Sequence, residues 1–101
     1  MDIRFLDVAQ QEFDEAIAYY NAQSPGLGDE FLLEVIAGLH RIKSFPKAWH
    51  PYTSNTRRCL TRRFPYGVVY QILESEIVVI ALVHSSRKPG YWRDRLGTVD
   101  L

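Results

Sequence analysis

The chain has 101 residues, 47% of them apolar and 24% charged, and its 12 basic side chains balance 12 acidic ones to a formal net charge of zero. That composition excludes a disordered tail or low-complexity linker, and the length fits one two-layer domain spanning residues 1–101. A single cysteine, Cys59, excludes an internal disulfide or a cysteine metal cluster. The longest apolar run, residues 77–83, falls well short of the roughly 20 residues of a membrane span, and the N-terminus has no signal-peptide pattern.

The elements follow in chain order. Ile3 to Leu6 fits a short edge strand. Asp7 has the character of an N-cap, with Gln10 completing a capping box, and Ala9, Phe13, Ala16, Ile17 and Tyr20 then fall on one helical face. Asn21 to Ser24 ends that helix, and Ser24-Pro25 reads as the start signal of a second one. Phe31, Leu32, Val35, Ile36, Leu39 and Ile42 give the second helix its apolar stripe, which stops before Pro46. A connection of a few residues makes the two an antiparallel hairpin. Lys47 to Thr56 reads as an ordered loop and Arg57 to Phe64 as a strand punctuated by Pro65-Tyr66-Gly67. Val68 to Leu73 is rich in β-branched residues, Glu74-Ser75-Glu76 is a hairpin turn, and the 77–83 run is a buried strand. The polar tail from Ser85 carries Pro89-Gly90 and one helical turn. This β-α-α-β-β-β order predicts an α+β domain, with the helical hairpin on one face of a small antiparallel sheet. The other face is expected to stay open, and function is to be sought there.

The zero net charge conceals a division. Residues 1–34 hold eight acids and one base, whereas residues 35–101 hold eleven bases and four acids. Eight of those eleven bases are arginines, the side chain suited to bidentate contact with phosphate or carboxylate. Arg57-Arg58 and Arg62-Arg63 fall in one strand-like segment, so alternation puts Arg58 and Arg62 on one face and Arg57 and Arg63 on the other. Tyr66 and Tyr70 share a face of the next strand. Arginines interleaved with aromatic rings suit single-stranded nucleic acid or an acidic partner; the bland alternative is an arginine row paired with acids of the first helix. His84-Ser85-Ser86-Arg87 combines a candidate proton donor with a candidate phosphate clamp, though for a lone His-x-x-Arg a strand-end histidine bonding a backbone carbonyl is the favoured account of His84. His40 and His50 have no metal-ligand spacing, there is no glycine-rich phosphate loop, and no cofactor or metal is expected. Tyr91-Trp92-Arg93 reads as packing over the sheet edge.

The succession Phe64-Pro65-Tyr66-Gly67-Val68-Val69-Tyr70, then residues 77–83, then His84-x-x-Arg87-x-Pro89-x-x-Trp92-x-x-Arg95 resembles the C-terminal half of the RelE/ParE toxin superfamily, plasmid-stabilisation type. The helix ending Tyr19-Tyr20, the Phe31 helix and Phe45-Pro46 are similar to its N-terminal half. The resemblance implies a cytoplasmic toxin of a type II toxin–antitoxin system, neutralised by a cognate antitoxin. It also implies one of two targets: DNA gyrase, inhibited as by ParE-like members, or ribosome-bound mRNA, cut without metal by RelE-like members. A non-toxic binding module of the same fold is a third reading. In a nuclease, His84, Arg87 and Tyr66 would be the catalytic set, with Arg58 and Arg62 on phosphate. In a gyrase inhibitor the exposed arginines, Arg58, Arg62, Arg63, Arg87 and Arg93 among them, would be interface residues. Where nuclease members tend to carry further basic residues, this chain has Gly67 and Leu60, which favours the ParE-like branch.

Overall fold

The computed structural model describes residues 1–99; Asp100, counted among the acids above, and Leu101 lie outside the described residues. Strand β1 (Asp2–Phe5) leads into helix α1 (Asp7–Gln23) and helix α2 (Leu27–Ser44), followed by β2 (Pro51–Thr53), β3 (Thr56–Leu60), β4 (Tyr66–Ile72) and β5 (Glu76–His84). A 3-10 helix (Arg93–Thr98) closes the described chain. The sheet runs β1-β5-β4-β3-β2. Its β2 to β5 ladders are antiparallel, but β1 pairs parallel to β5, Ile3 opposite Ile77 and Phe5 opposite Val79. The predicted α+β arrangement is therefore present as a mixed five-stranded sheet. The additional strand, β2, lies inside the segment expected to be loop.

Local chemistry explains where the elements begin. Leu6, rather than Asp7, is the N-cap of α1. Its N–H donates to Val79 O at 3.1 Å and its carbonyl accepts from Gln10 N at 3.0 Å, so the sheet itself delivers the first residue of the helix. Asp7 then lies in the first turn, where a negative charge suits the helix dipole. Ser24 closes α1 instead of opening α2: its N–H donates to Tyr20 O, and Gly26, at φ +86°, is the N-cap of α2. The hairpin is held tightly at Gly28, where a Cβ would lie 2.2 Å from Ile17 O, and whose N–H donates to Asn21 Oδ1 at 2.8 Å.

The helices cover one face of the sheet through Ala9, Phe13, Ala16, Phe31, Val35 and Ile42, packed on Cys59, Val68, Tyr70, Ile77, Val79 and Leu82. Each large side chain buried this way contributes about 1.5–3 kcal/mol. The opposite face is not wholly open as expected. Trp92 is 1% exposed there and packs, with Val99, against Val69, Val78, Ile80 and Ala81. The cause is a bulge: Val69 pairs with Ala81 and Tyr70 with Val79, which leaves Ile80 as an extra residue on β5. Ile80 and Ala81 thus both face the tail, while Leu82 returns to the helical side. Too much apolar surface then faces outward to stay solvated, and the tail folds across it. The uncovered part is the end of the sheet around β3 and the start of β4.

Candidate functional site

The first candidate stripe divides at Leu60. Strand β3 ends there, Arg62 and Arg63 lie in bends, and Thr61 Oγ1 donates to Phe64 O at 2.6 Å to close the turn into β4. Arg58 and Arg62 therefore do not share a strand face, contrary to the alternation argument. Arg63 is committed to α2: its backbone N–H donates to Glu34 Oε1 at 3.0 Å and its guanidinium approaches Glu30 at 3.4 Å. Arg57 lies on the helical side and donates to the carbonyls of Lys47 and Trp49. The pairing expected with acids of the first helix is instead made with the second.

Tyr66 and Tyr70 do share a face, but it is the face covered by the helices. Tyr70 is fully buried and its hydroxyl donates to Pro46 O at 2.7 Å; burial pushes its phenol up to about 12. Tyr66 is half-buried in a ring cluster, 4.9 Å from Phe31 between centroids, and desolvation raises its phenol as well. Tyr70 is thus withdrawn from any ligand, while Tyr66 shows part of its ring to the pocket that Arg58 lines.

What the fold does assemble is a pocket of about 300 Å³ on the uncovered end of the sheet, with Arg58 and Arg87 among its walls. Its apolar lining includes Leu60, which is 58% exposed, together with Val69 and Val83. Gly67 leaves room for Arg58, since a Cβ there would lie 3.2 Å from both Arg58 Cγ and Leu60 Cδ2. The Arg58 guanidinium lies 4.2 Å from the centroid of the Tyr52 ring, and that of Arg87 lies 3.9 Å from Tyr91. Among the described residues neither makes a hydrogen bond or ion pair. His84 stands opposite Tyr66, ring edge to face at 5.1 Å. Its Nδ1 accepts from Ser86 N at 3.0 Å and lies 2.8 Å from Ser86 Oγ, so that nitrogen is occupied within its own turn. Arg93 is exposed beyond the pocket, its side chain folded over Gly90, whose φ is +77°.

Two features were not visible beforehand. Tyr52 enters the site because β2 exists, and no strand signal marked it. Glu12 is the other. It receives Arg95 at 2.8 and 3.0 Å and the Tyr91 hydroxyl at 2.6 Å. It also accepts the backbone N–H of Leu82 at 3.2 Å, while Arg95 donates to Ile80 O at 3.1 Å. Beyond the end of β1, this pair satisfies the otherwise bare edge of β5. In the sequence, Glu12 stands only at the margin of the apolar stripe of α1.

The family match and the hairpin-on-sheet fold together place the chain in the RelE/ParE superfamily. Residues 3–89 match the family described as "ParE toxin of type II toxin-antitoxin system, parDE", and the chain belongs to that family. The fold is similar to that of a solved chain described as "Chromosomal ParDE TA system from P. aeruginosa", at a TM-score of 0.67 and 12% identity over 83% of this chain and 95% of that one. Among curated proteins, none matches the sequence. Among the described residues no helix is long and apolar enough to cross a membrane.

Proposed function

We propose that this protein, when free of its antitoxin, arrests growth by binding DNA gyrase through the Arg58–Arg87 pocket, and does so without cutting a nucleic acid. The observation that carries this reading is the apolar floor of the pocket. Leu60, Gly67, Val69 and Val83 lie where phosphoryl transfer would call for proton donors and charge aimed at the reacting oxygens. His84 supports the same reading, because its Nδ1 serves the Ser86 turn. Arginines beside apolar surface suit a protein interface, where arginine is enriched and charged groups set orientation. A cognate antitoxin neutralises the protein by covering this face.

The test is induction without antitoxin, with DNA and protein synthesis pulse-labelled in parallel and supercoiling by purified gyrase measured in vitro. Early loss of replication with an SOS response and inhibited supercoiling is the expected result. Early loss of translation with cut mRNA would assign the nuclease role, and normal growth under confirmed expression would remove the toxin reading.

A further inference from the structure

The outer face of α2 is apolar at its centre. Leu33, Ile36, Ala37 and His40 follow the i, i+3, i+4, i+7 spacing of one helical face, opposite the buried Phe31, Val35 and Ile42, and all four are exposed. Leu33 is 66% exposed and Ile36 37%, and neither belongs to the buried core, although Ile36 continues the apolar stripe in the sequence. The outer face of α1 is built differently: Gln10 bonds Asp14 there at 2.9 Å and Gln11 bonds Glu15 at 3.0 Å. Charge is ordered along the α2 stripe. Asp29 and Glu30 precede Leu33 by one turn, and Lys43 follows His40 by one turn. Among the described residues the Asp29 carboxylate receives only the Asn21 amide, at 3.4 Å, and Lys43 makes no ion pair.

We infer that this stripe is the contact surface of a symmetric dimer, in which α2 of one copy packs antiparallel on α2 of a second copy. An acid–apolar–base order is its own complement when reversed, which is what a two-fold axis requires. With that axis at the level of Ile36 and Ala37, Leu33 of each copy meets His40 of the other. Asp29 then comes beside Lys43 of the second copy, and both contacts occur twice. Parallel pairing would instead set like charges together at each end. Antiparallel alignment also sets the positive end of one helix dipole beside the negative end of the other. Ala37 keeps the centre of the contact thin, so the helix axes can approach to the usual separation of roughly 8–10 Å. A single helix pair falls below the roughly 800 Å² per partner of a stable interface, so the dimer is a weak one, with a dissociation constant on the order of 100 µM. The stripe shares no residue with the Arg58–Arg87 pocket and lies on the helical side of the sheet, so pairing leaves both pockets uncovered.

Sedimentation equilibrium of the full chain, from about 10 µM to about 1 mM, tests this directly. The average mass should rise with concentration from 11.7 kDa toward twice that value. Leu33→Gln combined with Ile36→Gln should weaken association roughly tenfold, because the apolar centre is lost. Asp29→Lys and Lys43→Asp should each weaken it severalfold, since each sets like charges face to face. The double variant Asp29→Lys/Lys43→Asp should return to the parental affinity. An equimolar mixture of the two single variants should associate more tightly than either variant alone. Glu74→Gln, in the turn between β4 and β5, should change nothing. Circular dichroism establishes that each variant is folded, and the charge series stands by itself should the apolar variant fail to fold. A mass fixed at 11.7 kDa across the range, association indifferent to the loss of Leu33 and Ile36, or a double variant no tighter than the single ones would each overturn the inference.

Discussion

The arginines of this protein divide into two populations. Along the edge of β5, Arg95 is nearly enclosed with Glu12, the two side chains 17% and 16% exposed, and Glu12 also accepts from the Tyr91 hydroxyl and the Leu82 N–H. Around the pocket, Arg58 and Arg87 lie on tyrosine rings, and among the described residues neither guanidinium makes an ion pair. The residue type is the same and the consequence is opposite. Enclosed charge is tolerated only when fully paired, and then it fixes the fold; exposed unpaired charge costs little and is available for binding. On the proposed reading of the pocket, stability and function are thus separable here, residue by residue.

The largest effect should come from the layer that the paired end secures. Trp92→Ala removes a fully buried ring from the tail-covered face, and a loss of about 3–5 kcal/mol in urea unfolding is expected. Glu12→Ala leaves the Arg95 guanidinium, the Tyr91 hydroxyl and the Leu82 N–H without their acceptor. A loss of about 3 kcal/mol is expected, with a visibly lower melting temperature. If Glu12→Ala melts like the parent protein, the paired end is not structural and the division collapses.

Alkaline pH should weaken the buried tyrosine contacts without mutation. Burial raises the Tyr70 phenol to about 12, and burial together with Glu12 raises Tyr91 further. Both groups favour the protonated form in the folded state, so their contribution is complete below about pH 10 and is lost as pH climbs from there through 12. For Tyr70 that amounts to about 2–3 kcal/mol. Urea titrations at stepped pH should show the decline, and Tyr70→Phe should flatten its first part.

The smallest stability changes belong to the exposed set. Arg58→Gln and Arg87→Gln should each shift unfolding by no more than about 0.5 kcal/mol while abolishing growth arrest. Arg63→Gln, which gives up only the exposed contact with Glu30 and Glu34, should cost less than about 1 kcal/mol and leave arrest intact. An Arg63 variant that loses arrest would move that residue from one population to the other.

The architecture was legible because it rests on periodicity. The stripes of the two helices and the β-branched runs of β4 and β5 each belong to an element that buries one face, and the motif order carried the family. What escaped was long-range or off-period. The bulge at Ile80 inverts the alternation of β5, and nothing within the 77–83 run marks it. The second cap moved because Gly26 supplies a positive φ that Ser24 does not need. Arg58 and Arg62 were assigned one face because a strand was assumed to continue past Leu60; the Thr61 turn ends it. Of the candidate site residues, Arg58, Tyr66, His84 and Arg87 do meet around one pocket. Arg63 is drawn off by α2, a contact 29 positions away in sequence that no local pattern encodes. Gly67 and Leu60, noticed only as departures from a nuclease pattern, turn out to line the pocket.

The shortness of β1 has a consequence for how copies of the protein meet one another. A four-residue strand leaves the far half of β5 with amide and carbonyl groups pointing sideways, the arrangement along which sheets from separate molecules join into ribbons. Here one carboxylate and one guanidinium occupy those positions as a surrogate strand, bonding Leu82 N and Ile80 O in place of a neighbour's backbone. Their pairing therefore closes that stretch of β5 to edge-to-edge pairing between copies.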